Sequence, residues 1–300
     1  MLSRFSDDPI ARSLLAEASE ILGEDVSGRF AADRDDLFDS NRGIQVGVFL
    51  ANELHRRRLA DRGVRAVASL GMSLGEYNHL VDIGAIRFDD ALRLVEARGR
   101  VYDAGPEGMM VSLFPTTREA VAALLAEVER AGPGRAAISN ENSPNQFVIA
   151  GETAAVERAA ALFAAREFAE PVTIERRIPM HSPVFAPVAE VLRPHLAAAA
   201  WRRPVTPYMP NVTAVPLPDP SPETVVDMLA AHVHRPVLWR QSIDAILERH
   251  PDAVFVEVGP RRVLCNLLGR KWVRNLRHAA EEADLGMLAA VLADAEAVEG

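Results

Sequence analysis

Apolar residues recur along the chain in two ways, with the period of amphipathic helices and in short continuous runs typical of buried strands. Asp8 followed by Pro9 predicts a helix start, and a second helix is predicted over residues 44–59. Outside the middle third, strands are predicted at 65–71, 207–212 and 252–259. Because helices alternate with short strands, the pattern predicts an α/β protein.

The middle third follows a different order, β-α-β-β-α-β. Its predicted strands lie at 109–114, 136–139, 146–150 and 172–178. Thr116 and Glu119 have the spacing of a capping box, which predicts a helix start after the first of these strands. This order is typical of a ferredoxin-like module. We therefore expect residues 109–178 to form a small subdomain inserted into a large domain made of residues 1–108 and 179–300.

Composition and charge narrow the function classes. Of the 300 residues, 49% are hydrophobic and 25% are charged, as in ordinary folded proteins. No apolar run reaches the ~18 residues that cross a bilayer, so no membrane partner is expected. The formal net charge of -9 argues against nucleic-acid binding. The single cysteine, Cys265, excludes an internal disulfide framework or a multi-cysteine metal site, and it predicts a reducing cytoplasm.

The segment Gly71-Met72-Ser73-Leu74-Gly75 has the pattern of a nucleophile elbow, since a predicted strand precedes it and a helical stretch follows. The glycines would permit a tight turn with close backbone approach. The helix start would place the N–H of Leu74 where a tetrahedral oxyanion forms. The alternative is a Gly-Ser turn without a catalytic role.

A serine hydroxyl needs a base, and His181 is the candidate. It lies where the predicted subdomain returns to the large domain, so that it could face a cleft; the alternative is a histidine that only bonds nearby backbone groups. His79 is expected to cap or pack its helix. The remaining histidines considered have polar neighbours and are expected at the surface: His55, His195, His250 and His278.

At this point the chain resembles the malonyl-CoA:acyl-carrier-protein transacylases and the acyltransferase domains of polyketide synthases. The motifs that carry the resemblance are Gly71 to Tyr77 (GMSLGEY), Leu94 to Gly99 (LVEARG), Asn142 to Gly151 (NSPNQFVIAG), Met180 to Pro183 (MHSP) and Val256 to Leu264 (VEVGPRRVL). Five motifs in order are more specific than the elbow alone. The resemblance implies an α/β-hydrolase-like large domain with a parallel sheet and an inserted ferredoxin-like subdomain.

The resemblance also implies a ping-pong acyl transfer. Ser73 would attack the thioester of malonyl-CoA with His181 as general base, and the phosphopantetheine thiol of an acyl carrier protein would then attack the malonyl-serine ester. In the family, a backbone carbonyl from the segment that matches residues 231–237, which includes His232, orients the histidine. Malonyl-CoA is implied as a substrate, and no cofactor is implied.

Arg98 matches the family arginine that holds the free carboxylate of the acyl group, a task that suits a planar guanidinium. The alternative is a surface i,i+4 ion pair on its helix. Asn142 is expected either to shape the pocket or to form a turn. Met180 lies near the position that sets selectivity at the malonyl C2 atom, and its bulk favours malonyl over methylmalonyl.

Two features depart from the family pattern. Met72 stands where the family usually has histidine, so the pocket wall there is expected to be apolar. The family also begins with a strand and a Gly-Gln-Gly segment whose glutamine N–H is the second oxyanion donor, and Met1 corresponds to the helix after it. Either the start is misassigned or trimmed, or the chain is a divergent member.

Two other functions stay open at this point. One is a hydrolase of the same fold that clears acyl groups from carrier proteins, and the other is a catalytically weak docking protein. Residues 261–278 could attract an acidic carrier protein because they hold basic residues and no acidic one, although a solvated helix face would look the same. The basic residues are Arg261, Arg262, Arg270, Lys271, Arg274 and Arg277.

Overall fold

A computed structural model describes residues 7–30, 39–269, 272–273 and 276–278. The first part of the large body is helical. Its helices are α1 (Pro9–Leu22), α2 (Val26–Arg29), α3 (Asn41–Asp61), α4 (Gly75–Asp82) and α5 (Phe88–Asp103). The small sheet and its helices follow: β1 (Met109–Leu113), α6 (Arg118–Ala131), β2 (Ala136–Ser143), β3 (Gln146–Gly151), α7 (Thr153–Glu167) and β4 (Val172–Glu175). The chain then returns to the large body with α8 (Ala186–Ala198), α9 (Pro222–His232), α10 (Trp239–Arg249), β5 (Phe255–Glu257), α11 (Val263–Leu267) and β6 (Leu276–His278).

The large body is built around apolar faces of α1, α3, α4, α5, α8 and α9. Asp8 caps α1 by accepting a hydrogen bond from the N–H of Ile10 at 2.8 Å, so the predicted helix start is confirmed. In helix α3, Val46, Leu50 and Leu54 on one face are fully buried. Burial of such a face supplies most of a helix's stability in a folded protein.

The middle of the chain forms an antiparallel sheet with the order β2-β3-β1-β4. Helices α6 and α7 cover it through a separate apolar core that includes Val111, Ile149, Val156 and Phe163. This is the predicted ferredoxin-like arrangement, and the α/β fold class is confirmed. The boundaries 109–178 stay a prediction. The cap of α6 differs from prediction, because Thr117, not Thr116, accepts from the N–H of Ala120.

Two predicted strands of the large body are wrong. Residues 65–71 run as an irregular segment, since no strand among the described residues lies beside them to pair with their backbone. Residues 207–212 make a single bridge, Tyr208 with Leu217, because Pro207 and Pro210 cannot donate to a ladder. The strand predicted at 252–259 is present as β5, which pairs in parallel with β6.

The edge strand β2 also touches the large body. The N–H of Glu141 donates to the carbonyl of Val237 at 2.9 Å, and the N–H of Val237 donates to the carbonyl of Ser139 at 2.9 Å. Asn140 and Val237 thus form a parallel bridge. The segment after α9 is therefore fixed to the small sheet by backbone hydrogen bonds.

Candidate active site

Ser73 lies in a tight turn immediately before α4. Its φ is 51°, a left-handed conformation that is rare for a residue with a side chain and that often marks a functional site. A Cβ atom on Gly71 would come within 2.0 Å of the carbonyl oxygen of Gly75, so only glycine fits at position 71. A Cβ atom on Gly75 would meet open space, so the second glycine of the motif has no such requirement.

His181 reaches the same point from a distant part of the chain. Its Nε2 lies 2.8 Å from the Oγ of Ser73, and its Nδ1 lies 2.6 Å from the backbone carbonyl oxygen of His232. The backbone N–H of His181 donates to the carbonyl of Val233 at 3.0 Å. A carbonyl only accepts, so Nδ1 carries the proton and Nε2 is left to accept from the serine hydroxyl.

The surroundings of His181 favour its neutral form. The ring is 2% exposed, and this burial holds its pKa well below the ordinary value of 6.5. The charges of His232 and Arg98 lower that pKa further, and the hydrogen bond to the His232 carbonyl opposes them. A neutral imidazole with a free Nε2 lone pair can take a proton from Ser73.

Asn211, which sequence reasoning missed, bonds the backbone of the Ser73 turn through its side chain. Its Oδ1 accepts from the N–H of Ser73 at 2.8 Å, and its Nδ2 donates to the carbonyl of Gly71 at 2.6 Å. The N–H of Asn211 donates to Oε1 of the buried Glu76 at 3.3 Å, and the hydroxyl of Tyr208 donates to the same oxygen. No motif marks Asn211 in the sequence, since it lies in a stretch that was interpreted as a strand.

Arg98 is 2% exposed, so the surface-pair alternative is wrong; exposed pairs on α5 are made by Arg93 and Arg100. The Nη1 of Arg98 donates to Oε1 of Gln45 at 2.6 Å, and the guanidinium lies 4.2 Å from the ring centre of Tyr102. Its buried Nη2 has no hydrogen-bond partner among the described residues. Gln45 was also missed; the signal for it is an amide on the apolar face of α3.

The other predicted site residues lie in different surroundings. Met72 packs against the apolar cluster around Trp239, and Leu74 packs against the core of the large body. Met180 touches both that core and the sheet face formed by Met110, Val148 and Ala150. Asn142 is 6% exposed at the end of β2, and its Oδ1 has no hydrogen-bond partner among the described residues.

His232 contacts His181 through its side chain as well as its carbonyl. The two rings are stacked with centres 4.6 Å apart and an interplanar angle of 21°. The Nδ1 of His232 lies 2.8 Å from Oε2 of Glu76. The structure therefore brings Ser73, His181 and His232 into contact, and Arg98 lies near enough for its charge to act on His181.

Two histidines that were predicted at the surface are buried. His55 is 1% exposed and His278 is 4% exposed, because both lie in the interior around α3 rather than among solvated neighbours. Burial lowers the pKa of His55 to about 4. His79 packs as predicted: its Nε2 accepts from the N–H of Met209 at 3.0 Å, and its Nδ1 lies 2.9 Å from the Oγ of Ser69. The exposed histidines are His195 and His250.

Among the described residues, no group of three or more His, Cys, Asp or Glu side chains could hold a metal ion. Within the same part of the chain, no helix is long and apolar enough to cross a membrane. Of the predicted basic strip, Arg261 and Arg262 are exposed. Arg270, Lys271 and Arg274 lie outside the described residues.

An α/β body with an inserted ferredoxin-like subdomain is a fold used by acyltransferases, and comparisons with known proteins agree. The acyl transferase domain family matches residues 8–290. Malonyl CoA-acyl carrier protein transacylase from Escherichia coli (strain K12) is 32% identical over 267 residues, which cover 87% of this chain and 84% of that protein.

Solved structures are similar over nearly their whole length. FabD from Acinetobacter baumannii superposes with a TM-score of 0.88 and 28% identity, over 98% of this chain and 93% of that chain. A malonyl-transacylase in complex with its type II PKS acyl-carrier protein gives a TM-score of 0.86 and 29% identity, over 94% and 92% of the two chains. The chain belongs to the acyl transferase domain family, and it is an acyltransferase.

Proposed function

We propose that this enzyme transfers a malonyl group from malonyl-CoA to the phosphopantetheine thiol of an acyl carrier protein, in fatty-acid or polyketide biosynthesis. The observation that carries the proposal is the 2.8 Å contact between Ser73 Oγ and His181 Nε2 on a strained turn. The names of the Escherichia coli relative and of the malonyl-transacylase complex support the donor and the acceptor.

The reaction proceeds in two proton-coupled halves. The Oγ of Ser73 attacks the thioester carbonyl while Nε2 of His181 takes its proton; the C–S bond then breaks, and the CoA sulfur leaves with that proton. In the second half, His181 takes the proton of the carrier thiol, and the thiolate attacks the malonyl-serine ester. The C–O bond to Ser73 breaks, and the serine oxygen regains its proton from His181.

The tetrahedral intermediate of each half carries an oxyanion. The N–H of Leu74 follows Ser73 at the amino end of α4, where the helix dipole favours negative charge, so we assign it as an oxyanion donor. Removing one such donor costs about 10²–10³ in rate in comparable enzymes.

The buried guanidinium of Arg98 supports a diacid substrate. Its hydrogen bond goes to the neutral Gln45 and not to an acidic side chain of the described residues, and a buried charge is costly unless it is paired. The free carboxylate of malonyl supplies the missing negative charge, and the unpartnered Nη2 supplies the matching donor. Acetyl and other monoacyl groups have no carboxylate to offer.

Met72, Asn142 and Met180 would complete the acyl pocket. Met180 stands next to His181 and is wedged between the large core and the small sheet, so its side chain would meet a substituent at C2 of the acyl group. This favours malonyl over methylmalonyl. The proposed reaction uses malonyl-CoA as a substrate and needs no cofactor, and a reducing cytoplasm stays the predicted compartment.

Intact mass after incubation with malonyl-CoA tests the proposal. Wild type gains a malonyl adduct, Ser73→Ala gains none, and addition of holo carrier protein discharges the adduct. Discharge by water alone at the same rate would indicate the hydrolase instead. Arg98→Ala shifts loading from malonyl towards acetyl, whereas the exposed Arg93→Ala on the same helix leaves the ratio unchanged.

A further inference from the structure

The guanidinium of Arg98 contacts three buried side chains. Oε1 of Gln45 accepts from its Nη1 at 2.6 Å. The ring centres of Tyr102 and Tyr77 lie 4.2 Å and 5.6 Å from its central carbon. An arginine side chain keeps its positive charge in proteins, and a buried cation is costly unless an anion pairs with it. These contacts therefore hold Arg98 and leave its attraction for an anion in place.

The acid of this region, Glu76, bonds elsewhere. Burial, with a smaller effect from the charge of Glu76, raises the pKa of the Tyr77 and Tyr102 hydroxyls, so that both rings are neutral. Oε1 of Glu76 accepts from the N–H of Asn211 at 3.3 Å, and its Oε2 lies 2.8 Å from Nδ1 of His232. The carboxylate of Glu76 thus supports the serine turn and faces His232.

Tyr102 stabilises the cation without using any of its donors. An aromatic ring covers the flat face of a guanidinium, whereas hydrogen-bond acceptors bind at its edge. The ring of Tyr102 also makes an edge contact with the ring of Phe185, with centres 4.9 Å apart and planes at 90°. Phe185 ends the short 3-10 turn, Pro183–Phe185, that follows His181. The ring beside Arg98 is therefore packed against the segment that carries the proposed base.

Two buried donors in this arrangement have no hydrogen-bond partner among the described residues. They are Nη2 of Arg98 and Nε2 of Gln45. In each side chain the unpartnered nitrogen shares a carbon with the atom that makes the hydrogen bond between Nη1 and Oε1, so this bond keeps the two donors near each other. Unpartnered buried donors are costly, and a carboxylate has two oxygens with which to accept from both.

We propose that Gln45 and Tyr102 determine the selectivity for the acyl group together with Arg98. Nε2 of Gln45 is a second hydrogen-bond donor to the free carboxylate of malonyl. Tyr102 is a positioning residue, because its ring fixes the plane of the guanidinium and leaves the N–H groups of Arg98 available. The inference rests on the proposed function, in which the acyl group carries a free carboxylate.

The affinities for malonyl-CoA and acetyl-CoA test the role of Gln45. Isothermal titration calorimetry measures both in a Ser73→Ala background, which cannot be acylated. Gln45→Glu places a carboxylate of the chain beside Arg98, so we expect malonyl-CoA to bind about 100-fold more weakly; Gln45→Met removes one donor and should cost about tenfold. Acetyl-CoA affinity should be unchanged in both variants. Asn52→Asp, which makes the same amide-to-carboxylate change on α3 at a residue that bonds Asn78, keeps both affinities.

Equal losses for the two thioesters in Gln45→Glu and Gln45→Met would overturn the role of Gln45, because a change that acts only on the fold does not distinguish malonyl from acetyl. Malonyl-CoA that binds no more tightly than acetyl-CoA to the Ser73→Ala protein would overturn the whole inference. The readout is an equilibrium affinity. A protein that prefers malonyl-CoA in this measurement but forms no malonyl adduct as wild type would keep the inference and lose the proposed function.

The same two affinities test Tyr102. Tyr102→Leu removes the stacked ring, so that binding of malonyl must also order the guanidinium; we expect its preference over acetyl to fall about tenfold. Tyr102→Phe keeps the aromatic face and should keep the wild-type preference. Equal falls in the two variants, or no fall in Tyr102→Leu, would overturn the positioning role. Tyr102→Met repeats the test with a longer apolar side chain should the leucine variant fold poorly.

Discussion

The small sheet and the serine turn are held together in opposite ways. Strands β1 and β3 pair through five successive positions, from Met109 opposite Gly151 to Leu113 opposite Phe147, above a core of apolar side chains. The serine turn has no ladder. It is fixed by Asn211, which lies 138 positions further along the chain, and by the buried Glu76. Regular burial shapes the first region, and single polar contacts between distant residues shape the second.

The largest expected effect comes from opening a cavity under the small sheet. Phe163 is 3% exposed in the core between α7 and the sheet, so Phe163→Ala should lower the free energy of unfolding by about 3–5 kcal/mol. Urea denaturation measures this loss. Acylation per folded molecule should stay at the wild-type rate, with Phe163→Leu as the milder control. A fall in acylation per folded molecule in Phe163→Ala would show that the packing of the small sheet also determines the geometry of the serine turn.

Asn211→Ala should lower the rate of acylation and leave the small sheet intact. It removes the acceptor of the Ser73 N–H and the donor to the Gly71 carbonyl, so the turn loses both of its side-chain supports. We expect acylation to fall about 100-fold, close to 2.7 kcal/mol of activation free energy. Single-turnover loading measures the fall, and hydrogen exchange of β1 and β3 should be unaffected. Normal loading by Asn211→Ala would contradict the assigned support.

Acid should weaken the region behind the serine turn and spare the small sheet, since residues 109–178 contain no histidine. Burial lowers the pKa of His79 from 6.5 to about 4, so the unfolded chain binds its proton first as the pH falls. The stability it contributes is complete above pH 6.5 and is lost towards pH 4. At pH 5 the loss is about 2 kcal/mol. Urea denaturation at pH 7 and pH 5 should show a smaller loss of unfolding free energy in His79→Gln than in wild type. Equal losses in the two proteins would show that His79 is not the group responsible.

The smallest effect separates two adjacent threonines of the small subdomain. Thr117 caps α6 through its hydroxyl, so Thr117→Ala should cost about 1 kcal/mol of unfolding free energy. Thr116→Ala should cost less, because the N–H of Thr116 is what bonds the Asn145 carbonyl and alanine keeps it. Thermal unfolding of both variants measures the difference, and loading of Ser73 should be normal in each. A larger loss of unfolding free energy in Thr116→Ala than in Thr117→Ala would instead support Thr116 as the cap, as the capping-box spacing predicts.

The same contrast explains what the sequence could predict. The order of the small sheet and the start of α1 follow from local periodicity and a cap, and both were predicted. Ser73 and His181 were found because a motif marks each of them. Asn211 and Gln45 were missed, since one polar side chain in an apolar stretch has no spacing rule that reveals its distant partner. The strand predicted at 65–71 was wrong because a strand also requires a neighbour, which its own residues cannot specify.

The backbone bridge between β2 and Val237 has a mechanical consequence. Val237 belongs to the short segment that begins with His232 and Val233. These two residues contact His181 through their backbone carbonyls and through the stacked ring of His232. Because this short segment is bonded to the small sheet at one end and to His181 at the other, a shift of the sheet relative to the large body would also change the distance between the imidazole and the serine hydroxyl.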